Sequence, residues 1–149
     1  MVDDIEKKQV LGFSMAHIEV IEFQKRGLPH CHLLIWIESR DAPSSPEDMD
    51  KAICEEIPDK SLYPRLYASV MAHMIHGPCG AINKKPPCMD VEGCTKTFPK
   101  DFIAGTIIYD NGYPTYRRRD TGVSHPLKRG YVVYEVDNRW VFLIILGCY

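Results

Sequence analysis

The sequence predicts an α+β domain in which helices flank a mainly antiparallel sheet. Two segments rich in branched and aromatic residues, 15–24 and 30–37, predict strands, and the Gly/Pro-containing connector between them predicts an antiparallel hairpin. Helical spacing of apolar residues follows, and strand-like segments return near the end. The length of 149 residues is that of one domain of about average size, so we expect a single domain.

Two helices are predicted after the hairpin. The first begins at Pro46, with Ser45 as its capping residue and Asp48 as the capping partner. The second follows Pro64 and ends before Gly77. The apolar positions that show helical spacing are Met49, Ala52, Ile53 and Ile57 in the first helix, and Leu66, Val70, Met71, Met74 and Ile75 in the second.

The remaining chain is expected to be irregular at first and then extended. Residues 77–101 hold too little apolar surface for ordinary packing, so something other than a core must order them. A turn is expected at residues 110–112. Beyond it, segments 131–136 and 139–146 predict strands on either side of residues 137–138.

Composition and charge exclude several classes of protein. A hydrophobic content of 45% and a charged content of 26% argue against wholesale disorder, and a net charge of −2 excludes a strongly basic DNA-coating protein. The charge is nevertheless segregated, because residues 1–83 carry a net −5 and residues 84–130 a net +4. A polyanion would therefore meet the second half of the chain or a local patch.

The cysteines are expected to be reduced. No apolar run approaches the roughly 20 residues that span a bilayer, and the first 30 residues lack a signal-peptide core, so we expect an intracellular chain with no membrane partner. In that setting six cysteines serve metal binding or simple burial.

The hairpin presents a candidate metal site. His30 and His32 are two residues apart on a strand and point to the same face. With a loop at residues 25–29, Gln24 lies opposite His30 and Glu22 opposite His32. Such nitrogen and oxygen ligands suit Mn²⁺ or Mg²⁺, with Zn²⁺ also an option. Alternatively, both histidines are half-buried strand residues satisfied by neighbours.

The irregular segment holds a second candidate site. His76, Cys79, Cys88 and Cys94 make a complete tetrahedral set of three thiolates and one imidazole, which is typical of a structural Zn²⁺ site. The alternative is a set of free thiols in a loop. His73 could substitute for His76 or lie on the surface. The other two cysteines predicted to be ordinary residues are Cys54, on the first helix, and Cys148.

Basic residues beside tyrosines suggest contact with single-stranded DNA. Cations pair with phosphates, and exposed aromatic rings stack on bases. The alternative is a solvated turn. The predicted DNA-binding residues are Arg117, Arg118, Arg119, Lys128 and Arg129, near Tyr113, Tyr116 and Tyr131, and Lys25 and Arg26 in the hairpin loop.

A longer set of ordered motifs resembles one family. The motifs are Glu22-Phe-Gln-Lys-Arg-Gly-Leu-Pro-His-Cys-His-Leu-Leu-Ile-Trp36, Met74-Ile-His-Gly-Pro-Cys-Gly80, Pro87-Cys-Met89, Cys94-Thr-Lys96, Phe98-Pro-Lys-Asp-Phe102, Gly112-Tyr-Pro-Thr-Tyr-Arg-Arg-Arg-Asp120 and Asn138-Arg-Trp-Val141. Over residues 17–141 the chain resembles the Helitron helicase-like domain, the replication-initiator nuclease part of rolling-circle Helitron transposases.

The resemblance implies a nuclease of the His-hydrophobe-His (HUH) Rep type, with a ferredoxin-like core, that nicks and joins single-stranded DNA. His30 and His32 would hold the divalent metal, and Cys31 would be the middle residue, pointing to the opposite face. Glu22 is the first choice for the third ligand and Gln24 the second, because a neutral amide is the weaker ligand. If the host is eukaryotic, the expected location is the nucleus.

The sequence departs from that family in ways that bear on activity. The family's nucleophilic Tyr-x-x-x-Tyr pair lies beyond the Asn-Arg-Trp-Val segment, where this chain diverges, at Phe142. Tyr63 with Tyr67 and Tyr109 with Tyr113 have the spacing without the context, so the nucleophile is expected to be missing. No phosphate-binding loop of a helicase domain is present, and the strand before the hairpin is expected to be absent.

These departures lead us to expect a partial domain over residues 1–149, with its cysteine-rich segment at 76–94. Two interpretations fit the apolar residues 141–149. They result from a frameshift or premature stop, or they form a buried final strand.

Overall fold

The computed structural model describes residues 2–23, 29–80, 83 and 86–145, and it divides the chain into two compact units. The first unit runs to Ser44, and the second begins at Ser45. The predicted α+β class is confirmed, with paired strands that are antiparallel throughout the named elements. Within the described residues, no helix is both long and apolar enough to cross a membrane.

The first unit consists of one short helix and the hairpin. Its elements are α1 (Val2–Lys7), β1 (Ser14–Glu22) and β2 (His30–Ile37). Ile5 of α1 is buried, and Glu6 Oε1 lies 2.9 Å from His17 Nδ1 of β1. The predicted bounds of β2 are confirmed, and β1 ends two residues before its predicted end.

Large apolar side chains of the hairpin are exposed on both faces of its two-stranded sheet. Antiparallel partners such as Ile18 and Leu34 lie opposite each other, and directly opposed residues share a face. The exposed apolar residues of β1 and β2 are Met15, Ile18, Val20, Ile21, Leu34 and Trp36. The ordered core described below therefore belongs to the second unit.

The second unit contains two helices and three two-stranded sheets among its described residues. Its elements are α2 (Pro46–Ala52), β3 (Ile53–Cys54), α3 (Pro64–His73), β4 (Ile107–Ile108), β5 (Pro114–Thr115), β6 (His125–Arg129), β7 (Val132–Val136), a 3₁₀ turn (Asn138–Trp140) and β8 (Ile144–Ile145). The pairs are β3 with β8, β4 with β5, and β6 with β7.

The predicted start of α2 is confirmed by its capping bonds. Ser45 has extended backbone angles, and its Oγ accepts a hydrogen bond of 3.1 Å from the backbone N–H of Asp48. The same hydroxyl lies 2.9 Å from the Asp48 carboxylate, and Pro46 occupies the first helical position. The helix thus begins where its unpaired N–H groups find an acceptor.

Replacing Ser45 with alanine is expected to lower the free energy of unfolding by about 1 kcal/mol, because the Asp48 N–H loses its acceptor. Urea denaturation followed by circular dichroism measures this. Ser44→Ala is the matched control, since Ser44 is exposed and precedes the capping position. An equal loss in the two variants would contradict the capping role.

The first predicted helix is longer than the observed α2. Ile53 and Ile57 lie outside α2, which ends at Ala52, and Cys54 lies on β3 rather than on the helix. Ile53 adopts extended angles and pairs with Ile145, while Cys54 pairs with Ile144. Pairing with a distant strand therefore overrides the helical spacing of the two isoleucines.

The core of the second unit lies between α3 and the C-terminal segments. Its buried residues are Leu66, Val70, Met71, Ile75, Cys79, Phe98, Leu127, Val136, Trp140, Val141 and Ile144. Ile75 bridges Val141 in antiparallel fashion, and the backbone N–H of Phe142 donates to Met74 at 2.8 Å. Within residues 141–145, which the structure describes, Ile144 is buried and β8 pairs with β3.

Residues 125–145 differ from the prediction in two places. The strand at 131–136 is confirmed as β7, but its partner β6 was not predicted because Leu127 is its one buried apolar residue. The strand expected at 139–146 begins instead with a 3₁₀ turn. Asp137 caps this turn by accepting from the N–H of Arg139 at 2.9 Å, a local bond that competes with strand pairing.

Candidate functional site

The hairpin brings Glu22, His30 and His32 to one face. Glu22 pairs directly with His30, and His32 pairs with Val20. The predicted register, with Glu22 opposite His32, is therefore wrong by two residues, because the connection runs from Phe23 to Pro29 instead of residues 25–29. A shift of two residues keeps each side chain on its face, so Glu22 remains beside both histidines.

The geometry of this face is open. His32 Nε2 lies 3.1 Å from Glu22 Oε2, and the side chains are 66% and 56% exposed. Among the described residues, the ligand atoms of Glu22, His30 and His32 do not all lie within 4.8 Å of one another. Gln24, the second choice for a third ligand, lies outside the described residues.

The opposite face of the hairpin carries Cys31. Its Sγ donates to Glu19 Oε1 at 3.5 Å, and Cys31 pairs with Ile21. The thiol therefore points away from Glu22 and the two histidines, as expected for the middle residue of the His-Cys-His motif. It supplies no ligand to the predicted metal site.

A metal-binding group forms in the second unit from the predicted His76, Cys79, Cys88 and Cys94. Their ligand atoms all lie within 4.8 Å of one another. Ligands about 2.3 Å from an ion at tetrahedral angles are about 3.8 Å apart, so little movement is needed to close the set on one ion. His76 Nε2 lies 3.3 Å from Cys94 Sγ.

Local backbone contacts position the ligands of this group. His76 follows α3, and its N–H donates to the Trp140 carbonyl at 2.8 Å. Gly77 has a φ of 91°, and an added Cβ would lie 3.0 Å from the Trp140 ring, so a side chain would disturb the turn toward Cys79. These bonds fix the first two ligands against the core.

Cys88 and Cys94 are joined by a tight turn of their own. Met89 bridges Cys94, the Thr95 N–H donates to the Cys88 carbonyl at 2.8 Å, and Asp90 accepts two backbone bonds inside the turn. Tertiary contacts then close the site, because the His76 ring stacks on Phe98 with centroids 4.2 Å apart. These contacts hold the Cys88–Cys94 turn beside His76 and Cys79.

The thiols differ in how readily they lose a proton. Burial, together with hydrogen bonds to Cys94 and Cys88, raises the pKa of Cys79 to about 12. Burial also raises the pKa of Cys94, but hydrogen bonds from the backbone of Phe98 and Lys96 outweigh it, and its pKa falls below the ordinary value. A bound dication would favour the thiolate at every position, because it neutralises the thiolate charge.

Burial disfavours the charged form of His76, whose pKa is lowered by desolvation and by Lys100 and Lys96. The neutral imidazole is the form that binds a metal. The alternative ligand His73 is exposed and lies outside the group, so the structure favours His76 of the two. The set fits a metal through both its chemistry and its spacing.

Three of the predicted DNA-binding arginines are paired with carboxylates, in what we call the arginine cluster (Asp50, Glu55, Glu56, Arg117, Arg118 and Arg119). Arg118 is 3% exposed and forms an ion pair with Glu55. Arg119 donates to Glu56 through Nε and Nη2, both at 2.8 Å. Arg117 donates to the same carboxylate through Nε at 3.2 Å and lies 3.7 Å from Asp50.

These pairs limit how far two of the arginines face solvent. Arg118 is buried beside Glu55, and Arg117 is 19% exposed, while DNA binding by either one stays a prediction. Arg119 is 54% exposed, so part of its guanidinium faces solvent. A role of Arg119 in DNA binding stays a prediction, as it does for Lys128 and Arg129, which are exposed on β6.

Some residues of the cluster were not predicted from the sequence. Glu55 and Glu56 follow β3, whereas the arginines lie about sixty residues later, so no local spacing links them. Asn138 was also missed: it accepts from the Ile57 N–H and donates to the Arg119 carbonyl, both at 2.8 Å.

Lys25 and Arg26 lie outside the described residues, as does Cys148.

One known family model matches the part of the chain that contains the hairpin. Residues 1–35 match the family model described as the Helitron helicase-like domain at N-terminus. The matched segment includes Glu22, His30 and His32, so the recognition made from the sequence motifs is confirmed over that range. A search of curated proteins found no match.

Proposed function

We propose, from the match of residues 1–35 to the Helitron helicase-like domain, that this chain is the Rep part of a Helitron-type transposon protein that acts on single-stranded DNA. The observation that carries the proposal is the placement of Glu22, His30 and His32 on one exposed face of the hairpin. A role on transposon DNA would place the protein in the nucleus of a eukaryotic host.

The residues of the hairpin define what the site can do. His30 and His32 would bind a divalent cation through ring nitrogens, and Glu22, whose Oε2 lies 3.1 Å from His32 Nε2, would add a carboxylate oxygen. This mixed donor set suits Mn²⁺ or Mg²⁺. When bound, the cation would polarise a phosphoryl oxygen of the strand.

A second candidate function is favoured by the group of His76, Cys79, Cys88 and Cys94. Three thiolates and one imidazole select Zn²⁺ among the common divalent ions, and four protein ligands leave no open position for substrate. On this alternative the chain is a zinc-stabilised DNA-binding remnant that does not cut. In both candidate functions the zinc is structural.

Paramagnetic broadening by Mn²⁺ tests the hairpin site directly. In the zinc-loaded protein, added Mn²⁺ is expected to broaden the amide NMR signals of residues 20–22 and 30–32, because these flank the ligands. His30→Ala and His32→Ala are each expected to weaken this effect at least tenfold. His17→Ala is the matched control, since its ring lies on the other face and pairs with Glu6.

The outcome also separates the proposal from its rivals. Broadening that survives both substitutions, or that appears only outside the hairpin, would contradict a metal site at His30 and His32. Incubation with Mn²⁺ and single-stranded DNA tests whether this chain cuts the strand by itself. We expect strand binding without a covalent adduct, because no tyrosine pair has the family's context, and an adduct on any tyrosine would show that the chain cuts DNA.

A further inference from the structure

A cleft in the second unit lies apart from the group of cysteines. It has a volume of about 680 Å³, within the range of about 300–1,000 Å³ typical of sites for small ligands. Its wall includes Cys54 and residues 56–60, continues through Tyr63 and Leu66, and is completed by residues near the arginines, among them Val123. Every lining residue belongs to the second unit.

The lining carries cations of two kinds. Lys51 lies 3.1 Å from Asp48, and Arg117 is paired with Glu56 and Asp50, so the cations that face a ligand are Lys60 and the exposed part of Arg119. Lys60 is exposed, and its Nζ lies 5.6 Å from the centre of the Tyr67 ring. Asp59 is occupied with its own loop, accepting from the N–H groups of Ser61 and Leu62. The lysine charge is therefore available to a ligand in the cleft.

One edge of the Arg119 guanidinium faces the Glu56 carboxylate. The bidentate pair with Glu56 engages Nε and part of Nη2, while the side chain remains 54% exposed. A guanidinium has further N–H groups on Nη1 and Nη2 that are suited to a second planar acceptor such as a phosphate. Glu56 thus fixes the orientation of Arg119 without filling its donor capacity.

Apolar and aromatic surface lies among these cations. Tyr63, at the start of α3, is 56% exposed, and Val123 is 52% exposed. Ile57 adds a partly buried aliphatic wall. A free phosphate would gain nothing from such surface, whereas a nucleobase gains stacking and apolar contact.

We infer that this cleft binds a nucleotide unit of a single DNA strand, with the base against Tyr63 and Val123 and the phosphate at Lys60 and Arg119. The choice of DNA as the source of the nucleotide rests on the proposed function. The site itself rests on the cleft, its charge and its exposed tyrosine. It needs no divalent cation, and it shares no residue with the hairpin site of Glu22, His30 and His32.

Fluorescence anisotropy with a labelled oligothymidylate of about ten nucleotides tests the inference, without added Mn²⁺. Tyr63→Ala is expected to weaken binding about tenfold. Lys60→Ala is expected to weaken it about threefold and to reduce the slope of log affinity against log salt by about 0.7. Arg65→Ala and Tyr109→Ala are matched controls, since both residues are exposed and neither lines the cleft.

Unchanged affinity in the Tyr63 and Lys60 variants, or an equal loss in the Arg65 and Tyr109 controls, would overturn the inference. So would a wild-type chain that does not bind the oligonucleotide. A competition arm uses thymidine monophosphate against inorganic phosphate: stronger competition by the nucleotide supports a base contact, and equal competition refutes it. Failure here leaves the Mn²⁺ broadening at His30 and His32 intact, so the two proposals fail separately.

Discussion

Replacing Cys88 with serine is expected to remove zinc from the chain and to lower the free energy of unfolding of the second unit by at least about 3 kcal/mol. Structural zinc in small domains contributes about 10–16 kcal/mol of binding free energy, and loss of one thiolate opens the closed set. The effect is large because the ligand Cys79 and the His76 partner Phe98 are both part of the core.

Elemental analysis of the purified protein and urea denaturation measure the two parts of this result. Cys31→Ser is the matched control, because it removes an exposed thiol on the hairpin and should change neither zinc content nor the unfolding of the second unit. A wild-type protein that carries no zinc, and whose unfolding a chelator leaves unchanged, would refute the zinc site.

The substitution Glu56→Gln is expected to lower the free energy of unfolding by about 3 kcal/mol. Glu56 is 8% exposed and accepts bonds from the side chains of Arg117 and Arg119 and from the Arg119 backbone. A neutral amide leaves the mostly buried Arg117 charge without its closest carboxylate, and removing one partner of a buried pair is costly. The lower end of the usual cost applies because Arg119 is half exposed.

The pH dependence of this loss has a defined sign. Burial raises the pKa of Glu56, but bonds and charge from Arg119 and Arg117 outweigh it, so the pKa lies below its ordinary value. A carboxyl with a lowered folded pKa stabilises the protein above its unfolded pKa, and this stability is lost as pH falls through the folded pKa. The difference between wild type and Glu56→Gln should therefore shrink in acid, below about pH 4.5.

Urea denaturation at several pH values measures the difference. Glu38→Gln is a suitable control, because its pair with Arg40 is exposed and should contribute less than about 1 kcal/mol. Equal losses at neutral pH in the two variants would mean that the carboxylate of Glu56 has no special role. The neighbouring Glu55 has the opposite tendency, since burial raises its pKa more than Arg118 lowers it.

Sequence reasoning succeeded where local chemistry decides the structure. The start of α2 follows from a capping bond within three residues, and the four metal ligands follow from residue type in a segment too polar to pack. The faces of β2 follow from the alternation of a strand, which placed His30 and His32 together and Cys31 apart.

The sequence does not predict features that depend on contacts between distant segments. The hairpin register depends on how many residues the loop takes, which the Gly/Pro connector does not specify, and the end of α2 depends on β8, about ninety residues away. The arginines at 117–119 look like a solvated basic turn until Glu55 and Glu56 are placed beside them. Long-range ion pairs leave no periodicity to read in a single sequence.

The spacing of the four candidate metal ligands also bears on the order of folding. His76, Cys79, Cys88 and Cys94 span fewer than twenty residues, so their closure costs little chain entropy and can precede most other contacts. The pairing of Cys54 with Ile144 closes a far longer loop and gains nothing until both ends are in place. We expect the metal-bound segment to act as an early nucleus and the β3–β8 pair to form last.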